Sequence, residues 1–169
     1  MQEEERVFIG HLPAGYVFSR VFADRLAQAA AMVGSILPDV DLLYFYTLGD
    51  RAVVHHHYWT HVPAFWVVLG VIIWSILRLV GSRYHLYVVP LLLGVFLHLC
   101  LDTIVGSIFW MYPFSDMTLT LIHVPALYDP WYLNFIWHWT FALEIAVVLC
   151  AGYVFVSNHL RKTVSSSRR

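Results

Sequence analysis

Long apolar runs broken by short polar clusters dominate this chain. Three of the runs, residues 62–80, 85–105 and 134–156, are each long enough to cross a hydrocarbon core, which takes about 20 apolar residues in a helix. The first carries no charge until Arg78, the second holds His98 and Asp102 in its last two turns, and the third holds His138 and Glu144. A weaker segment covers residues 17–37, where Arg20, Asp24 and Arg25 interrupt the first half. Its Phe18, Val21, Phe22, Leu26, Ala29, Val33 and Ile36 recur at helical spacing and predict one apolar face. The pattern predicts an all-α integral membrane helical bundle: three transmembrane helices plus an amphipathic or re-entrant N-terminal helix, with a fourth full span as the alternative for that segment.

Composition sharpens this picture. The chain is 60% hydrophobic and 12% charged, and its length of 169 residues suits one domain. Residues 1–160 are expected to form a single membrane-embedded domain, and 161–169, ending in Ser165-Ser166-Ser167-Arg168-Arg169, a disordered cytoplasmic tail. A formal charge of −1 supplies no basic field for nucleic acid. Cys100 and Cys150 both lie in apolar runs, as packing residues do. The acidic N-terminus lacks the basic region of a signal peptide, so insertion falls to the internal segments. Arg78 and Arg83 lie between the first two spans, and Arg161, Lys162, Arg168 and Arg169 follow the third. With three spans both clusters share one side, and the rule for short basic loops makes it cytoplasmic. Residues before 62 and the loop 106–133 then face the periplasm or exterior. That loop is rich in rings, among them Phe109, Trp110, Tyr112, Phe114, Tyr128, Trp131 and Tyr132, and residues 118–124 within it are expected to form a short strand.

The polar clusters carry the chemistry. Ten histidines are present, and most lie beside a carboxylate or at the end of an apolar run. His98 and Asp102 are four apart on a predicted helix, so both reach the same face one turn apart. An unpaired carboxylate costs about 2.5–3.5 kcal/mol at the centre of a membrane helix, which favours a partner. Either a shared metal ion or a simple His–Asp hydrogen bond meets that need. Pro38 ends the preceding helix and leaves Asp39-Val40-Asp41 in an expected extended stretch, where both carboxylates point the same way. In the run His55-His56-His57-Tyr58-Trp59-Thr60-His61, a regular helix puts His57 and His61 on one face and His56 about 140° from His61. A loop before the helix would release His56 from that angle, so both stay in play. His11 stands in the loop-like Gly10-His11-Leu12-Pro13, and His123 in the outer loop is a further ligand or substrate contact. His138 and Glu144, six apart, form no helical pair and read as core or interfacial groups. No His-Glu-x-x-His helix, Gly-x-Ser-x-Gly elbow or phosphate loop occurs.

The order of these fragments resembles the membrane-bound metal-dependent hydrolases of bacterial inner membranes: a lone His11, then Leu37-Pro38-Asp39-Val40-Asp41, His56 to His61 ending in Thr60-His61, His98 to Asp102, and Tyr112-Pro113-Phe114-Ser115. The likeness covers residues 11–115. It departs where the family has Arg and Ser after the two histidines of the third motif and this chain has His57 and Val62. The ordered His and Asp set is also distantly similar to zinc-dependent phospholipase C, and that likeness alone suggests phosphoester chemistry.

Taken with the outer-face geometry, the resemblance implies a metal centre built from His11, Asp39, His56, His61, His98 and Asp102, with Asp41 orienting a histidine or taking a proton from the attacking water, and Asp39 beside it. Mixed nitrogen and oxygen ligands suit Zn²⁺, in one or two ions, with manganese or iron as alternatives. The expected activity is hydrolysis of a lipid-linked or amphiphilic ester, foremost a phosphoester, at the outer face of a bacterial inner membrane. The alternative is a non-enzymatic metal-binding membrane protein: a transporter, a sensor, or a bundle stapled by structural zinc.

Overall fold

The computed structural model describes residues 9–41, 59–130 and 132–166. Six α-helices occur among them: α1 (His11–Ser19), α2 (Arg25–Gly34), α3 (Pro63–Leu79), α4 (Val88–Val105), α5 (Tyr132–Ile136) and α6 (Thr140–Ser166). Short 3-10 turns at Trp59–His61 and Arg83–Tyr87 lead into α3 and α4. Among the described residues the fold is all-helical, and the strand expected over 118–124 is instead a single antiparallel bridge between Ile108 and Leu119.

The helix expected over 17–37 is a hairpin. α1 already begins at His11, the chain turns at Arg20–Asp24, and α2 returns. The polar residues that weakened the apolar pattern build this turn. The Asp24 carboxylate accepts from the Ala27 amide at 3.1 Å as the N-cap of α2. Arg20 donates to the Gln28 side chain at 3.1 Å, and Gln28 donates to the Phe22 carbonyl at 2.7 Å.

The face that packs is not the predicted one. Ala27, Ala31 and Gly34 are buried, whereas Val21, Leu26, Val33 and Ile36 point outward. Small residues let helix backbones approach in an apolar solvent, and the large aliphatics are left for that solvent. A Cβ on Gly34 would stand 2.0 Å from the Leu91 carbonyl oxygen, and one on Gly94 would stand 2.1 Å from that of Ala31. Helices α2 and α4 therefore meet backbone to backbone, and Ser35 at the end of α2 reaches His98 near the end of α4, as in a parallel pair.

Two helical stretches, Arg83–Val105 and Thr140–Arg161, are long and apolar enough to cross a membrane. The third expected span, 62–80, is the 17-residue α3, about 26 Å at 1.5 Å per residue against a core of about 30 Å. Both of its ends are fixed locally. Pro63 takes the first helical position, and Gly81, at φ +68°, closes the C-terminus while Ser82 and Gly81 donate to the Leu77 and Arg78 carbonyls. The expected run 134–156 also divides, into α5 and α6. The His138 ring at the break stands 2.9 Å from the Thr140 hydroxyl. At the other end, α6 continues to Ser166, past the start of the expected tail.

A small apolar core of Trp66, Val95 and Leu99 lies beneath Leu37, Leu91, Leu92 and Trp110. The loop after α4 folds back over the end of that helix. Leu121 and Ile122 donate to the Thr103 and Ile104 carbonyls at 2.9 Å each, satisfying groups that a helix C-terminus leaves open. Gly94→Ala is expected to cost about 1–3 kcal/mol by forcing α2 and α4 apart. The Gly152→Ala control, where an added Cβ meets nothing within 4 Å, should not destabilise. Denaturant titration of both variants in detergent micelles checks the contrast.

Candidate metal centre

The end of α4 supplies the centre of the cluster. One helical turn brings His98 Nε2 to 2.9 Å from Asp102 Oδ2, and both side chains are buried. The other ring nitrogen of His98, Nδ1, donates to the Ser35 carbonyl at 2.9 Å. That carbonyl is available because α2 ends at Gly34, and the close α2–α4 packing delivers it. An acceptor at Nδ1 keeps a proton on that nitrogen and leaves Nε2, beside Asp102, as the ring's candidate ligand atom.

His11 is the first residue of α1, not part of a loop. Its ring stacks on His98 with centroids 3.9 Å apart, and its Nε2 lies 2.9 Å from Asp102 Oδ1. The start of α1 is held from the opposite side of the bundle, where the buried Glu144 of α6 accepts from the Ile9 amide at 2.8 Å. Glu144 thus positions His11 through the backbone. An acid inside an otherwise apolar membrane-length run was the available signal for it.

After Pro38 the chain turns where an extended stretch was expected. Val40 donates to the Leu37 carbonyl at 3.2 Å, and Val40 and Asp41 are helical. The two aspartates consequently reach different places. Asp39 Oδ1 lies 3.6 Å from His98 Nε2, and its Oδ2 lies 3.8 Å from His11 Nδ1. Asp41 stands behind His61, with Oδ2 3.2 Å from Nδ1.

His61 closes the cluster from the 3-10 turn before α3, so the regular-helix angles do not apply to it. Its Nε2 lies 3.4 Å from His98 Nε2 and 3.4 Å from Asp102 Oδ2. Thr60 donates to the Asp41 carboxylate, and the Trp66 indole donates to the Thr60 carbonyl at 2.6 Å. Asp41, Thr60 and Trp66 together hold His61 with Nε2 aimed inward. Thr60 was visible only as the residue before His61, and Ser35 acts through its carbonyl, which leaves no mark on residue type.

Two imidazole Nε2 atoms therefore face each other across 3.4 Å beside a buried carboxylate. Ligands around a tetrahedral zinc, at about 2.0–2.1 Å from the ion, stand about 3.3 Å apart. Separations of 3.4 Å for His61–His98, 3.4 Å for His61–Asp102, 3.6 Å for His98–Asp39 and 2.9 Å for His98–Asp102 bracket that value. Two overlapping ligand groups result, His11–His98–Asp102 and Asp39–His61–His98, each with its atoms within 4.8 Å of one another. The donors fit a divalent ion in composition and spacing. Of the expected ligands, the structure brings together His11, Asp39, His61, His98 and Asp102. His56 and its rival His57 lie outside the described residues. His123 is exposed and belongs to neither ligand group, and His138 is half-buried at the α5–α6 break.

The profile of the YdjM inner membrane protein family matches residues 1–164, and the chain belongs to that family. No curated protein and no solved structure matches it. If Asp41 and Thr60 hold His61 for a metal, Asp41→Asn and Thr60→Val should each weaken zinc binding about 10–100-fold. Chelator competition on the purified full-length protein, with helix content followed by circular dichroism, reads this directly.

Proposed function

We propose that this inner-membrane protein is a metal-dependent hydrolase of a lipid-linked or amphiphilic ester, foremost a phosphoester. The observation that carries the reading is the facing pair of Nε2 atoms of His61 and His98. Each ring's Nδ1 is engaged, and both Nε2 atoms adjoin the Asp102 carboxylate. With a proton on each Nδ1, the two Nε2 atoms are free to hold one cation between them, and zinc suits the mixed nitrogen and oxygen set. A second ion beside it would share His98 and Asp102 with His11. Such an ion supplies a water of pKa near about 7 and polarises a phosphoryl or carbonyl oxygen.

The chain's own groups divide the remaining work. Asp102 and His98 are held too deep to meet solvent. The Asp39 side chain is 29% exposed against 4% for Asp102, so the open side of the cluster lies at Asp39. Asp39 is then the carboxylate placed to take a proton from an entering water, while Asp41, enclosed with Thr60, orients His61. An open side of this kind favours an enzyme over a structural zinc staple, whose coordination would be closed by protein.

The lipid-like substrate is supported by an apolar cleft of about 280 Å³ between α2, α3 and α4. Leu37, adjoining the Pro38-Asp39 turn, and Trp66, bonded to Thr60, line its wall near the cluster, and Leu77 and Tyr87 lie farther along. A hydrocarbon chain lying there would hold its polar headgroup at the metal centre. The outer face, as basic-loop counting places it, is the side on which the substrate would be met.

Protein stripped with chelator and reloaded with zinc is expected to release phosphate or a phosphorylated headgroup from a panel of phosphomonoester and phosphodiester lipids. Asp39→Asn, assayed at saturating zinc, is expected to lower kcat about 10²–10⁴-fold. Full turnover by the stripped protein, or turnover of none of the lipids by the reloaded one, contradicts the reading.

A further inference from the structure

A second polar concavity lies at the other end of the bundle. The hairpin turn between α1 and α2 and the last turns of α6 enclose about 630 Å³, lined by Tyr16, Arg20, Arg25, Asn158, His159 and Arg161 among others. It shares two elements with the metal centre but not its location. His11 and Glu144, at the start of α1 and early in α6, belong to the cluster end. Asn158 is fourteen residues beyond Glu144 on the same helix, about 21 Å away at 1.5 Å per residue.

Three arginines, Arg20, Arg25 and Arg161, line the concavity. Among the described residues no carboxylate pairs with Arg20, Arg25 or Arg161, and the rest of the wall mixes Gln28, Asn158 and His159 with Ala23, Val154 and Phe155. The nearby carboxylate of Asp24 is taken up by capping the Ala27 amide. Arg20 is already oriented: it donates to Gln28 at 3.1 Å and to the Tyr16 carbonyl at 3.4 Å, and its guanidinium lies 4.1 Å from the centre of the Tyr16 ring. A planar guanidinium fixed in this way meets a phosphate through paired N–H groups, which an ammonium does not match.

The depth of the concavity selects among anions. The membrane-length stretch of α6 ends at Arg161, which puts the arginines where hydrocarbon gives way to headgroups. Tyr153, Phe155 and Val156 are exposed just below, at acyl-chain level. Basic pockets between helices at such a level take anionic lipid headgroups.

We propose that the α1–α2 turn and the end of α6 form a binding site for the phosphate of an anionic phospholipid, on the membrane face opposite the metal centre. The site is separate from the hydrolytic reading and stands or falls without it.

Full-length protein is incubated in detergent with equal phosphatidylglycerol and phosphatidylcholine, and retained lipid is counted by native mass spectrometry. The wild type is expected to retain phosphatidylglycerol preferentially. Each arginine removed is expected to reduce that preference about fivefold, in Arg161→Gln alone and further in Arg20→Gln/Arg161→Gln. Arg161→Gln, at an exposed position late in α6, leaves the packing intact, and an unchanged circular dichroism spectrum and melting profile verify the fold. A parallel titration with inorganic phosphate separates the sources. Phosphate that binds with the same arginine dependence and strips the lipid would assign the site to a free anion and overturn the lipid. Equal retention of the two lipids by the wild type, or a preference unchanged in both variants, overturns the site itself.

Discussion

A carboxylate enclosed inside an apolar helix is the constraint around which this bundle is arranged. Taking an ion out of water costs several kcal/mol even after the protein relaxes, and only close partners of the right chemistry offset that cost. Asp102 sits near the end of a membrane-length helix and is met by three imidazoles, those of His11, His61 and His98. Each imidazole arrives from a different part of the chain, and each is held by something behind it. Ser35 holds His98, Asp41 and Thr60 hold His61, and Glu144 holds the backbone that carries His11. The glycine contacts between α2 and α4 serve the same end, because a wider spacing would withdraw the Ser35 carbonyl from His98.

What was legible in the residues follows from how local each requirement is. The His98–Asp102 pair could be read directly, since helical spacing alone brings the two together. Pro38 marked a real break, and Asp39 and His61 could be singled out by residue type and neighbourhood. The direction of the chain after Pro38 could not be read, because an extended stretch and a tight turn are equally compatible with Asp-Val-Asp. That difference sends Asp39 into the cluster and Asp41 behind His61. The hairpin of α1 and α2 was hidden for another reason. Helical periodicity joined into one face residues that the structure divides between α1, the turn and α2, and within α2 lipid-like surroundings turn the large aliphatics outward and leave Ala27, Ala31 and Gly34 to pack. Tertiary capping, as in Glu144 with Ile9 or Leu121 with Thr103, joins residues far apart in the chain and leaves no pattern along it.

The two ends of the molecule differ in charge character as well as in depth. The end of α4 gathers acids and imidazoles, suited to a cation, while the turn between α1 and α2 gathers guanidinium groups, suited to an anion. Between them α6 buries only 11% of its apolar window within the chain, as a helix does when it meets lipid along most of its length. Membership of an inner-membrane family agrees with that arrangement.

X-ray absorption at the zinc edge, on full-length protein purified without added metal and then supplied with one equivalent of Zn²⁺, probes the cluster most directly. Imidazole nitrogen and carboxylate oxygen scatterers are expected at about 2.0–2.2 Å, with the imidazole signal reduced in His61→Ala and in His98→Ala. Zinc held only by water oxygens, or an identical spectrum in both variants, would contradict it.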